Sequence, residues 1–259
     1  MQSRTRPAWE GALVDAHAHL GRGLFGQELA VPDLLRNMDE TGVRWSVVSP
    51  LKPITYHFGP ENDRIAAAVA EHPDRLVGFA RVDPWQRTAA VEEARRAFDL
   101  GLAGLFLHPF EEQFAANDDH IYPLMSLLEE RNLPLLIAGG FPGFSHPSQI
   151  GDLARQFSNV SIIATHGGQL NISGLLLSDA GRMLRANPNV LMETSGIYRE
   201  DFIEDTVKEL GAERVVFGSN APYMDLGFEA LRVRLAHFSD REKALVGREN
   251  LARLLSLNA

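Results

Sequence analysis

The chain has 259 residues with 25 Lys plus Arg against 34 Asp plus Glu, a formal net charge of −9, and no Cys. This length buries a full core, and 45% hydrophobic with 23% charged residues excludes disorder, collagen and coiled coil. The acidic balance without a Lys/Arg cluster leaves no footprint for a phosphate backbone or an anionic membrane, and the lack of Cys leaves only His, Asp and Glu to hold a metal. No apolar leader opens the chain and no run of ~18 apolar residues follows, so a cytoplasmic protein is expected.

Short runs rich in Val, Ile, Leu and Phe recur eight times: Ala12 to Asp15, Val43 to Ser49, Leu76 to Val82, Leu102 to Leu107, Leu133 to Ala138, Val160 to Ala164, Val190 to Glu193 and Arg214 to Gly218. They are continuous rather than alternating, as parallel strands covered on both faces require. Between them lie amphipathic stretches. Pro32-Asp33 opens one that closes at Gly42, Asn62 one that stops at Pro73, Thr88 one that ends at Gly101, and Asp119 one through Leu128. Others cover Pro147 to Phe157, Gly174 to Ala186, Arg199 to Leu210 and Leu226 to Phe238, and Asp240 to Leu255 has no strand after it. Eight strand-helix units predict one domain over 1–259, a (β/α)₈ TIM barrel with an extra C-terminal helix. A doubly wound open sheet is the alternative, but no Gly-x-Gly-x-x-Gly follows the first run.

In a barrel, chemistry gathers after the strands, and four of nine His fall there or at strand ends. The first run leads into His17-Ala18-His19, two imidazoles on one extended face that can share a cation. The fourth leads into His108 and the sixth into His166-Gly167-Gly168; the eighth leads into Asn220. His57 and His146 follow the second and fifth runs, whereas His72, His120 and His237 sit in or beside helices and read as surface residues. Lys52, Tyr56, Arg81, Tyr198, Tyr223 and Asp225 share the loop face. Arg81 can anchor a substrate carboxylate or pair an acid in the barrel; Asp225 supplies a carboxylate near Asn220 if its loop folds back. Phe141 and Phe144, among Gly139-Gly140 and Pro142-Gly143, make an apolar loop of lid type.

Val14 to His19, Arg75 to Pro84, Gly104 to Pro109, His166 to Gly168, Glu193 to Gly196, Gly211 to Pro222 and Glu249 to Leu255 together resemble the amidohydrolase-related family of the amidohydrolase superfamily, which includes aminocarboxymuconate-semialdehyde decarboxylase. The resemblance implies a barrel holding one divalent ion, usually zinc. Its ligands would be the first-strand pair, here His17 and His19, a His ending the fifth strand, and an Asp ending the eighth that is also the base toward metal-bound water. It matches His166 to a His that polarises substrate or shuttles protons. Two positions depart: Ala138 stands for the fifth-strand His and Asn220 for the Asp, while Phe106 stands where relatives often carry Lys.

Asn has no basic lone pair near neutrality, and two imidazoles fall short of the three ligands usual for catalytic zinc. Three readings stay open: a metal retained with help from His108, His166 or His146; a metal-free site using His166 as acid and base; or a barrel that only binds. The first functional expectation is a hydrolase of a C–N or C–O bond (lactone, ester or amide) in a small carboxylated molecule. Catalysis falls to His166, Asn220 and His108, substrate binding to Arg81, Tyr223 and His57, and a weak or absent metal to His17 and His19. The alternatives are a non-oxidative decarboxylase or hydratase, or a binding module. The expected partner is a small molecule, with a homo-oligomer compatible.

Overall fold

The computed structural model describes residues 9–170 and 174–258. Eight parallel barrel strands follow one another around a closed circle. They are β1 (Leu13–Arg22), β3 (Val43–Pro50), a third strand made of β4 (Leu76–Gly78) and β5 (Ala80–Arg81), then β6 (Leu105–Leu107), β7 (Leu135–Ile137), β8 (Ile162–Ala164), β9 (Val190–Glu193) and β10 (Val215–Val216). At Phe79 the third strand changes partner: its amide bonds back to Val48 O, and the next, Ala80, bonds forward to Gly104 O. Closure comes from Ala16 N to Phe217 O at 2.9 Å and His19 N to Ala221 O at 2.7 Å, with a parallel bridge between Ala18 and Ala221.

A helix follows each barrel strand: α1 (Val31–Thr41), α2 (Gly59–Glu71), α3 (Thr88–Asp99), α4 (Tyr122–Arg131), α5 (Pro147–Gln156), α6 (Gly174–Ala186), α7 (Glu200–Leu210) and α8 (Leu226–Leu235). The last amphipathic stretch is α9 (Asp240–Ala244), a π turn over Leu245–Glu249, and α10 (Asn250–Leu254). Its Leu251 packs into the barrel interior. The expected eightfold alternation and barrel are therefore present. One element was not expected, the two-residue β2 (Glu28–Leu29), which pairs antiparallel with the end of β1. No described helix is long and apolar enough to cross a membrane.

The period-two alternation sorts the strand residues into two cores. Leu105 and Leu107, Leu135 and Ile137, Ile162 and Ala164, and Val215 and Phe217 belong to the layer under the helices. Their neighbours Phe106, Leu136, Ile163 and Val216 belong to the inner cluster. The continuous apolar runs thus reflect burial on both faces.

β1 breaks this alternation. Val14 and Ala16 belong to the inner cluster, but Ala18 and Leu20 belong to the outer one. Between Asp15 and Ala18 the strand advances three residues while β3 advances two, from Ser46 to Val48. This bulge reverses the parity, so that His17 and His19 face inward beyond Val14 and Ala16.

Candidate active site

Asp15, on the outer side of β1 just before the bulge, is fully buried and fixes the base of the site. It accepts from His17 N at 3.0 Å, Ser46 Oγ at 3.1 Å, Ser219 N at 2.8 Å and Ser219 Oγ at 2.7 Å. Burial nevertheless raises its pKa to about 6, against the lowering effect of these donors. β1 is thereby pinned to its neighbours on both sides.

Above it the imidazoles form a relay. Ser49 Oγ lies 2.8 Å from His19 Nδ1, His19 Nε2 lies 3.1 Å from His17 Nε2, and His17 Nδ1 lies 3.4 Å from Glu193 Oε2. Glu193 is fully buried at the end of β9 and accepts from His166 N, Ser195 N and Ser195 Oγ. Burial works to raise its pKa, but His17, His166 and the Ser195 amide outweigh it and hold the carboxyl below the usual range. Gly218 is required beside it, because a Cβ there would stand 2.2 Å from Glu193 Oε1.

His166 occupies a left-handed turn, φ 56°, that swings its ring to 5.9 Å from His17, centre to centre. Its Nδ1 lies 2.7 Å from the Ser195 carbonyl, which only accepts, so Nδ1 carries the hydrogen and Nε2 is left with its lone pair. Asn220 also sits at positive φ, 53°, with its amide donating to His17 O at 2.6 Å. Burial lowers the pKa of His166 and lowers that of His19 strongly; for His19 the neighbouring His17, Arg81 and His108 add to the effect.

His17, His19, His108, His166, Asn220 and Tyr223 all line one cavity of about 340 Å³ at the C-terminal mouth of the barrel. Phe25, Phe110 and Phe141 supply its apolar walls. Phe110 and Phe141 stack at 5.0 Å, with Phe144 edge-on to Phe110 at 5.5 Å. The Phe141 loop lies close against the chain after His166, for a Cβ on Gly140 would meet Leu170 N at 1.8 Å. Ala138 reaches the same cavity.

The other candidates lie elsewhere. Arg81 is buried and turned to Glu111 and Glu112, with Glu112 Oε1 at 2.8 Å, and a third bond to Pro50 O at 3.1 Å. It pairs acids in the barrel wall and does not line the cavity, correcting its assignment to substrate binding. His57 is exposed and likewise outside the lining, correcting its assignment to substrate binding. His146 caps α5 and approaches Asp179 at 3.2 Å; Asp225 caps α8 through Phe228 N at 2.7 Å. Neither serves the cavity. Lys52 donates to Glu111 O. His120 is not a surface residue: its ring stacks on Trp85 at 4.5 Å, edge-on to Phe114.

Two acids of the site were not anticipated. Glu193 closes an otherwise apolar strand run, and a charge there is its signal. Glu111 follows His108-Pro109-Phe110 and lines the cavity, its Oε1 accepting from Tyr223 OH at 3.1 Å. Its amide donates to His108 Nδ1 at 3.2 Å. Burial lowers the pKa of His108 to about 3, Glu111 opposing and Arg81 adding, so the ring is neutral and its hydrogen sits on Nε2.

For a divalent ion, the two Nε2 atoms at 3.1 Å are close enough to act as a pair of ligands. Among the described residues, however, no group of three His, Asp or Glu side chains is placed to hold a metal. The donor set therefore does not fit a three-ligand catalytic ion.

The model of a family described as Amidohydrolase matches residues 14–259. A gamma-resorcylate decarboxylase of Rhizobium sp. (strain MTP-10005) is 23% identical in an alignment of 246 positions covering 76% of this chain and 75% of the relative. Among solved structures, a 2,6-dihydroxybenzoate decarboxylase complexed with 2,6-dihydroxybenzoate superposes with TM-score 0.76 at 19% identity, covering 96% of this chain and 99% of that one. A 5-carboxyvanillate decarboxylase from Novosphingobium aromaticivorans, complexed with manganese and 4-hydroxy-3-methoxy-5-nitrobenzoic acid, superposes with TM-score 0.78 at 17% identity over 95% and 96% of the two chains.

Proposed function

The chain belongs to the amidohydrolase family, and from that premise we propose that it is a non-oxidative decarboxylase of a small aromatic carboxylate. This is the alternative of the sequence reading; the decarboxylases among its relatives support it over hydrolysis of a C–N or C–O bond. The observation that carries it is the cavity lining, where imidazoles and a carboxamide meet aromatic walls and the position expected to hold a general base is Asn220. A hydrolase of this plan deprotonates water from that position, which a carboxamide cannot do, so the task would fall to His166 alone. A decarboxylase needs a place for an anion, a flat apolar slot and one proton donor.

His166 is that donor. A bound carboxylate favours protonation of the neighbouring imidazole, so substrate and proton enter together. His166 then donates from Nε2 to the ring carbon bearing the carboxylate while Nδ1 stays on the Ser195 carbonyl. The C–C bond breaks, its electron pair staying on the ring until the C–H bond takes it up, and carbon dioxide leaves. The neutral His166 is restored. His108 Nε2–H and the Asn220 amide orient the anion, and Phe110 and Phe141 exclude water. Manganese accompanies one of the similar structures. Among the described residues two imidazoles, His17 and His19, are placed to share such an ion, so no step is assigned to it.

The test is a panel of benzoates and hydroxybenzoates incubated in D₂O, with and without added manganese or zinc. Loss of carbon dioxide with one deuterium placed at the former carboxyl carbon is expected. Turnover of esters, lactones or amides, with every benzoate left intact, would return the site to the hydrolases.

A further inference from the structure

In the barrel β7 lies between β6 and β8, and the registers align Leu107, Ile137 and Ala164 across the three strands. His108 follows the first of these residues, Ala138 the second, and His166 stands two beyond the third. All three line the cavity. Two imidazoles therefore flank a position whose methyl group leaves the span between them open, with two strand spacings, ~10 Å, from backbone to backbone. Main-chain groups fix these rings as opposite tautomers. The Glu111 amide donates to His108 Nδ1 at 3.2 Å, so His108 presents Nε2–H; the Ser195 carbonyl accepts from His166 Nδ1 at 2.7 Å, so His166 presents a lone pair at Nε2. Among the described residues neither Nε2 has a hydrogen-bond partner, Glu111 Oε1 standing 3.8 Å from the first. The other polar side chains of the lining are bonded within the protein. His17 Nε2 and His19 Nε2 lie 3.1 Å apart, the Tyr223 hydroxyl donates to Glu111 Oε1, Arg81 holds Glu111 Oε2 from behind, and the Asn220 side chain reaches His19.

We propose that the gap over Ala138 is a slot for a neutral primary carboxamide carried on an aromatic ring, and that such a molecule is a dead-end ligand of this site. The carboxamide oxygen accepts from His108 Nε2–H, one of its N–H groups donates to His166 Nε2, and the ring lies along the Phe110 and Phe141 wall. Both unmatched atoms are then satisfied with no proton moved. A methyl ketone of the same shape serves the first atom and leaves the second unpaired, and a carboxylate brings no hydrogen to the second. With its lone pair held by the ligand, His166 is not free to activate water, so the amide is bound and not cleaved. The inference goes beyond the decarboxylase reading, sharing its cavity but not its reaction.

The experiment is calorimetric titration of the full chain, in EDTA at pH 8.5, with benzamide, acetophenone and benzoate. Benzamide is expected to bind about tenfold tighter than acetophenone, the scale of one hydrogen bond gained and one buried acceptor no longer left unpaired. His166→Asn keeps the left-handed backbone but withdraws the distant acceptor, and should bring that ratio to about twofold or less. His108→Phe should weaken both ligands and leave their ratio in place, since each loses the same bond to its oxygen. Circular dichroism and the thermal midpoint check the variants. If His166→Asn does not fold, Ala138→Leu decides by filling the gap: benzamide bound as in the wild type overturns the inference. So does a wild-type protein that fails to prefer benzamide over acetophenone, or a preference that survives His166→Asn. Ammonia released from benzamide overturns the dead-end assignment. Benzoate bound without any preference for benzamide over acetophenone defeats the slot alone, whereas benzamide preferred with benzoate left unbound defeats the carboxylate reading alone.

Discussion

Along the same strands, Val14, Leu136, Ile163 and Val216 fill the barrel with aliphatic volume, and two to four residues further on stand His17, Ala138, His166 and Asn220. The lower layer is held by contact area, which is indifferent to direction and sensitive to volume. The upper layer is held by bonds of fixed donor and acceptor: Asp15 to the Ser219 hydroxyl, Glu193 to the Ser195 hydroxyl, His166 to the Ser195 carbonyl. Damage to the first should therefore appear as lost stability, and damage to the second as lost chemistry in a protein that still folds.

The sharpest break between the layers is His166→Asn. Asn tolerates the left-handed backbone at this position, where Ala would add strain. Decarboxylation of the best substrate should fall by ~10² to 10⁴, the usual worth of one general acid or base, with the thermal midpoint little changed. Leu136→Ala should do the reverse, costing about 2–5 kcal/mol in denaturant unfolding while the surviving folded protein keeps its KM.

Wild-type protein dialysed free of added metal is expected to carry well under one divalent ion per chain. The double substitution Ala138→His with Asn220→Asp should raise this to about one, read by elemental analysis. Stoichiometric metal in the wild type would show that His108 or another group completes the pair.

A pH-dependent effect belongs to the ion pairs in the wall. Burial raises Glu112 to about 7, Arg81 opposing and Glu111 adding. A carboxyl raised in the folded state stabilises most when protonated, below about pH 4.3, and its contribution is lost as pH rises through 7. Unfolding free energy should thus fall over that interval by about 3 kcal/mol, a fall that Glu112→Gln abolishes, measured as the difference between the two proteins' pH profiles.

The apolar runs made the barrel legible, because burial on both faces leaves a continuous signal. His17, His19, His108, His166 and Asn220 were legible for a related reason, each following a run at the mouth. The bulge in β1 was not, since two residues of equal parity share a face whichever way the strand is turned. Arg81 showed as a charge inside a strand, but its partners Glu111 and Glu112 lie 30 and 31 residues on, in a loop whose path no periodicity reveals. His57 failed for the complementary reason: following a strand does not make a loop turn back over its mouth.

The Asp15 carboxylate joins residues 204 positions apart through Ser219. During synthesis at ~5–20 residues per second, roughly 10–40 s separate the appearance of the two partners. Through that interval His17 and His19 already exist but have no last strand to complete the circle, and the interior edge of β1 waits for Phe217 and Ala221. The first residues of the site to be made are among the last to be locked, so the nascent chain spends most of its production time as an open, apolar-edged sheet in need of shelter from its neighbours.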